Sequence, residues 1–131
     1  MNKRLFRNTA ILFFIIGFSN YLGNRLYLYW TTWWHDMIMH FIAGFVVAMT
    51  MVLIYQIFFK RFPWFKSNLV LISVLVTISI GLLWEFFELH YEITSFADGS
   101  GFWTDTSSDL LLDTLGGYLG ALYSIKISNN E

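Results

Sequence analysis

Three pairs of ionisable side chains stand at helical spacing inside apolar segments: Asp36 with His40, Glu85 with Glu88, and Asp109 with Asp113. Residues three or four apart share one helix face, so each pair presents two polar groups side by side. Carboxylates with an imidazole are the donors of a metal site rich in oxygen. All-oxygen sets suit Mg, Mn or Ca, and mixed carboxylate–His sets suit Zn, Mn or Fe. All six residues are therefore candidate ligands for a divalent cation. The same groups suit acid–base work, with His40 as a general base held by Asp36 and a protonated Glu85 or Glu88 as general acid. No serine or cysteine nucleophile motif accompanies them, so any hydrolysis would use water, with or without a metal to activate it. Bundle di-iron sites need Glu-x-x-His; Glu85-x-x-Glu88 lacks the histidine and Glu88-Leu-His90 has the wrong spacing, which argues against that cofactor.

The elements that carry these residues read as membrane helices. Hydrophobic residues make up 56% of the chain and charged ones 13%, against roughly 25% charged in a soluble domain. Four stretches, about 9–29, 35–59, 68–90 and 107–127, approach or exceed the ~20 residues that a spanning helix needs. A soluble bundle would show a polar face, and the run from Phe41 to Phe59 has almost none. The sequence therefore predicts an all-α, polytopic membrane protein: one integral membrane domain over 1–131, built as a four-transmembrane-helix bundle. A charge inside a bilayer costs at least ~2.5–3.5 kcal/mol on insertion scales, so the acidic pairs should face the bundle interior or a wet pocket.

Lys and Arg set the orientation. Lys3, Arg4 and Arg7 precede the first stretch, Lys60, Arg61 and Lys66 follow the second, and Lys126 closes the fourth; of the eight basic residues only Arg25 falls on the other side. Both termini and the 60–67 connection are therefore expected in the cytoplasm. Trp30, Trp33, Trp34 and Trp103 would mark the outer interface and Trp64 the inner one. The basic start and the Gly17-Phe18-Ser19 stretch resemble a weak signal peptide, but a polar and small face shared with the other helices argues that the first helix is retained.

This orientation brings the three pairs to one depth. At ~1.5 Å rise per residue, all six residues lie within ~10 Å of the outer helix ends. Of the nine acidic residues, only Glu131 belongs to the other end. Each polar face continues inward as small residues: Gly44 and Ala48 below His40, Gly81 and Thr77 below Glu85, Gly116 and Gly120 below Asp113, and Gly17 below Asn20 and Asn24. Small residues let membrane helices approach closely, so the glycines are expected to close a floor beneath a polar pocket. The connection 91–106 reads as a long loop, either a lid or plain exposed chain. Thr106 with Asp109 resembles a capping box at the start of the fourth helix. Glu85 and Glu88 sit at a helix C-terminus, where the dipole disfavours negative charge, so a cation, shared protons or Arg25 must compensate the cluster.

Simpler roles fit several of these residues. One intramembrane polar pair alone is usually helix–helix glue, worth about 0.6 kcal/mol. His35 reads as an interfacial residue, His90 and Glu92 as near the surface, and Asp98 as solvated. Trp84 is expected to pack against neighbouring helices, and Phe13, Phe14, Phe58 and Phe59 to face lipid.

The ordered motifs Asp36-x3-His40-x3-Gly44, Trp84-Glu85-x2-Glu88 and Asp105-Thr106-x2-Asp109-x3-Asp113-x2-Gly116 resemble the YjdF-like family of small bacterial inner-membrane proteins. More distantly, their order is similar to that of VanZ-like proteins linked to glycopeptide resistance. The likeness covers roughly residues 33–124. It implies a membrane fold, a location in the bacterial cytoplasmic membrane and site positions at these residues, but no defined reaction. The chain departs from the first family in length and in its 98–105 stretch. It departs from the second in Glu88 and Asp113, where glutamine and asparagine are usual; the extra acids favour a cation site.

The leading expectation is a small envelope protein whose extracytoplasmic-facing His/carboxylate pocket binds a cation and binds or acts on a lipid or cell-envelope ligand. A proton- or cation-coupled transport component is the alternative; Thr50, Gln56, Ser73 and Thr77 offer it only a sparse polar path inward. A third reading is an assembly partner with no chemistry. Expected partners are membrane lipid and a second copy through the glycine-rich faces, with no nucleic acid.

Overall fold

The structure, a computed structural model, describes residues 1–129; Glu131 lies outside them. Asn2 starts the first helix by accepting a hydrogen bond from the Leu5 N–H at 2.6 Å. The helix, α1 (Lys3–Arg25), therefore begins six residues before the apolar stretch and takes Lys3, Arg4 and Arg7 into its first turns. It ends before residue 29 because Tyr27 adopts a left-handed backbone with φ 58°, a conformation that non-glycine residues seldom hold. The chain reverses there into the short α2 (Leu28–Thr31). Next come α3 (Trp33–Ile54), which runs into a π-helical turn Tyr55–Phe59, and α4 (Pro63–Ser67), opened by a proline where the missing N–H is not needed. The last long helices are α5 (Leu69–His90) and α6 (Ser100–Asn129), joined through a single 3-10 turn at Phe96–Asp98.

The fourth helix starts earlier than its apolar content suggests. Residues 100–106 of the expected loop are helix, and the connection is residues 91–99. The capping box belongs to Ser95 and Asp98 at the 3-10 turn, not to Thr106 and Asp109, which lie inside α6. Three helical segments, Lys3–Arg25, Trp33–Phe59 and Leu69–His90, are long and apolar enough to cross a membrane. At 30 residues α6 has the length, but Asp109, Asp113, Gly116, Gly117, Gly120 and Ser124 dilute its hydropathy, and all six are buried. These six positions face protein.

Helices α3, α5 and α6 form the packed centre, and α1 leans on α3. One end of the bundle is an apolar plug of Leu5, Met49, Val52, Leu53, Tyr55, Leu69 and Ile127. Gln56 ties this end by accepting from the Asn2 N–H at 2.7 Å and donating to Ser128 at 2.7 Å. The N-terminus, the chain end of α6 and the 60–68 connection therefore share this end, and the acidic pairs occupy the opposite one. Between the two ends, α3 and α6 meet backbone to backbone. A β-carbon on Gly44 would strike the carbonyl of Asp113, one on Gly116 that of Phe41, and one on Gly120 that of Phe45. The glycines of α3 and α6 are thus covered within one chain.

Helix α1 departs from this pattern. Gly17, Asn20 and Asn24 are exposed, and a β-carbon on Gly17 would meet nothing within 4 Å. The helix is buried at Leu5 and Thr9 near the plug, where Leu12 also packs, and at Gly23 against His35 and Tyr29. Phe13, Phe14 and Phe58 are exposed as expected for lipid-facing residues, but Phe59 turns inward and stacks on Phe65 at 4.6 Å.

Candidate functional site

The close seam of α3 and α6 sets the register that builds the site. With Gly44 against the Asp113 backbone, His40 lies one turn above on α3 and meets the carboxylates of α6. His40 Nδ1 is 3.3 Å from Asp113 Oδ2. On its other side, Nε2 is 3.8 Å from Asp36 Oδ1 and 3.9 Å from Asp109 Oδ2. Gly81 on α5 makes room for the arrangement, because a β-carbon there would occupy the place of the Asp113 carboxylate. His40, Asp109 and Asp113 are buried, and Asp36 is partly exposed.

This geometry divides the labour. With Nδ1–H donating to Asp113, Nε2 would keep a lone pair for a metal; metal-binding histidines are commonly oriented this way by a carboxylate. Nε2, Asp36 and Asp109 then offer one donor atom each, all within 4.8 Å of one another. Ligands about 2.0–2.2 Å from a metal stand roughly 3–3.5 Å apart, so a modest inward shift would close them on an ion. Three protein donors leave open coordination positions, as in metal sites that bind a substrate.

Glu85 and Glu88 stand outside this cluster. Glu85 is buried; its Oε2 accepts from the Thr106 hydroxyl at 2.6 Å, while Oε1 has no hydrogen-bond partner. Thr106 is one turn before Asp109 on α6, so Glu85 braces the helix that carries a candidate ligand. Glu88 accepts from the Trp84 indole N–H at 2.9 Å, and Trp84 stacks on Phe87 of its own helix instead of on a neighbouring one. Arg25 is exposed and makes no ion pair among the described residues. His35 is buried between α1 and α3 with its Nε2 unpartnered. His90 and Glu92 are exposed, and Asp98 caps its own turn.

Beside the cluster lies a cavity of about 270 Å³ between α1, α3 and α5. Asp36, His40 and Asp113 face its polar end, with Asn20 and Tyr29 at the same end; Met39, Ala43, Val47 and Ile80 make the rest apolar. The Tyr29 hydroxyl donates to Asn20 Oδ1 at 2.8 Å. Burial first, then the Asp36 and Glu88 carboxylates, push its phenol up to about 12, so it stays a donor. Sequence reasoning missed Tyr29, because nothing short of the reversal at Tyr27 brings it over the site. Toward the plug, Thr50, Ser73, Thr77 and Ser124 each donate to a carbonyl of their own helix.

Fold and site together define an all-helical membrane protein with a buried His/Asp cluster that could hold a metal. The chain belongs to the family described as predicted membrane protein (DUF2238), whose model matches residues 2–130. The YjdF-like family that the motifs resemble is this same family. No curated protein and no solved structure matches the chain significantly; the more distant likeness to VanZ-like proteins rests on motif order alone.

Proposed function

We propose that this protein holds a divalent cation on Asp36, His40 and Asp109, with Asp113 orienting the imidazole. It presents the ion to a lipid or cell-envelope ligand at the extracytoplasmic face of the bacterial cytoplasmic membrane. The convergence of three donor atoms within 4.8 Å carries this reading, because a divalent ion would neutralise carboxylates that have no arginine or lysine partner among the described residues. A transport path would need polar groups below the cluster free to pass an ion. The hydroxyls there are bonded to their own helices, which favours a site over a path.

On this reading α6 is a fourth span and both termini are cytoplasmic. The distribution of basic residues supports it: seven lie at the plug end or in the connection beside it, and Arg25 alone at the site end. Two experiments test the proposal. Metal analysis of the purified protein should find one divalent ion per chain in wild type and none in His40→Ala; metal-free protein after loading with Mn, Zn, Fe or Mg would refute the site. The chain has no cysteine, so single cysteines at positions 62 and 97 can be labelled from either side of intact cells. Labelling of 97 but not 62 by an impermeant reagent is expected, and the reverse would invert the topology.

A further inference from the structure

The cavity beside the cluster opens sideways. Helix α1 packs on α3 and more lightly on α6, with no broad contact to α5. Its lining passes from Ile16 and Gly17 on α1 to Ile80 and Trp84 on α5, so the gap between these helices faces the surface that carries the exposed apolar side chains. Gly17 widens that gap, since it places no side chain in it. A crevice of this kind in a membrane is filled by what the bilayer supplies, which is hydrocarbon. Pockets for drug-sized ligands run to ~300–1,000 Å³; at about 270 Å³ this one matches one hydrocarbon chain better than two side by side.

The polar end sets the head group. His40 and Asp36 both line the cavity, whereas Asp109 does not. A cation held by the three would therefore keep an open position toward the cavity. A bound divalent ion is the largest local charge in its site, and at that open position it would take a phosphate oxygen directly as a ligand.

We infer that the cavity binds a single-chain amphiphile with a phosphate head, its tail entering from the bilayer between α1 and α5 and a phosphate oxygen meeting the cation. The head's place rests on the cation reading; the tail's place rests on the cavity alone.

The test uses the full chain in phosphatidylcholine vesicles with two photoreactive probes, a long-chain alkyl phosphate and the matching alkyl alcohol, each with a mid-chain diazirine. Adducts of the phosphate probe are expected on Ile16, Met39 and Ile80. Gly17→Phe fills the opening and should lower them about tenfold, a loss of about 1.4 kcal/mol in binding, with metal content unchanged as the sign of an intact fold; Gly17→Leu is the smaller filler should phenylalanine disturb the helix. His40→Ala should erase the preference for phosphate over alcohol and leave tail adducts in place. Adducts no denser in the cavity than on the lipid-facing Phe14 and Leu71, in protein that holds its metal, would overturn the inference and leave the cation site standing. Cavity adducts blocked by Gly17→Phe, in wild-type protein that holds no metal and shows no preference for phosphate, would overturn the head assignment together with the cation reading.

Discussion

The two faces of α3 do opposite things. Toward α6, backbone touches backbone across Gly44, Gly116 and Gly120, and no side chain can be added without moving a helix. Toward α1, contact gives way to a cavity beside Ile16, Gly17 and Asn20. The tight side leaves the two backbones little freedom to slide, which suits a set of metal donors. The loose side leaves room for something that is not protein. The cluster lies between them, with His40 and Asp113 on the close-packed wall and the cavity on the other side.

Substitutions at glycine test that contrast most directly. Gly116→Leu should cost about 3 kcal/mol or more, because its β-carbon collides with the Phe41 carbonyl and backbone yields little. Thermal unfolding in detergent, followed by circular dichroism, would show it as a large fall in Tm or as loss of folded protein. An unchanged Tm would mean that the α3–α6 seam is not as close as described. Asp113→Asn comes next. It keeps the shape but weakens the hold on Nδ1–H, so cation affinity should fall about 10–100-fold, the usual cost of losing a carboxylate behind a metal-bound histidine. The fall should appear in a metal titration with little change in Tm; wild-type affinity would return Asp113 to a packing role.

Thr106→Ala should have a smaller effect. It removes the donor to Glu85 Oε2 and leaves a buried carboxyl with no hydrogen bond, at a cost of about 1–3 kcal/mol. Glu85→Gln in the same background should recover part of that loss if charge is the cause, and no recovery would point to packing. The smallest effect belongs to the loose side. Gly17→Ala should leave stability unchanged or raise it by up to about 1 kcal/mol, since alanine favours a helix interior and its methyl meets open space. A marked loss of stability there would show that α1 sits closer to α5 than its contacts indicate.

The second and third helices were legible almost to the residue. The stretches 35–59 and 68–90 became Trp33–Phe59 and Leu69–His90, because a long apolar run needs no partner to be recognised. Helix α6 was legible only where it is apolar. Residues 100–106 hold few apolar side chains, and their helix is visible only with α5 beside it, where Thr106 reaches Glu85. The capping box was misplaced for the same reason: the Thr-x-x-Asp pattern has the right spacing, but the helix had already begun. The small face of α1 matched those of the other helices in pattern. Periodicity cannot say whether a partner helix fills the groove beside a glycine, and at Gly17 none does.

Residue types and spacing by themselves determined that the chain is apolar and helical, that Asp36 lies one turn from His40, and that Asp109 lies one turn from Asp113. These follow from composition and from 3.6 residues per turn, both local properties. The tertiary structure decided which carboxylates share the imidazole, that Asp113 takes Nδ1 while Asp36 and Asp109 face Nε2, that Glu88 turns away to Trp84, and that a cavity stands beside them. The reason is that helix register depends on where two backbones can touch, and only the glycine contacts of α3 with α6 select it.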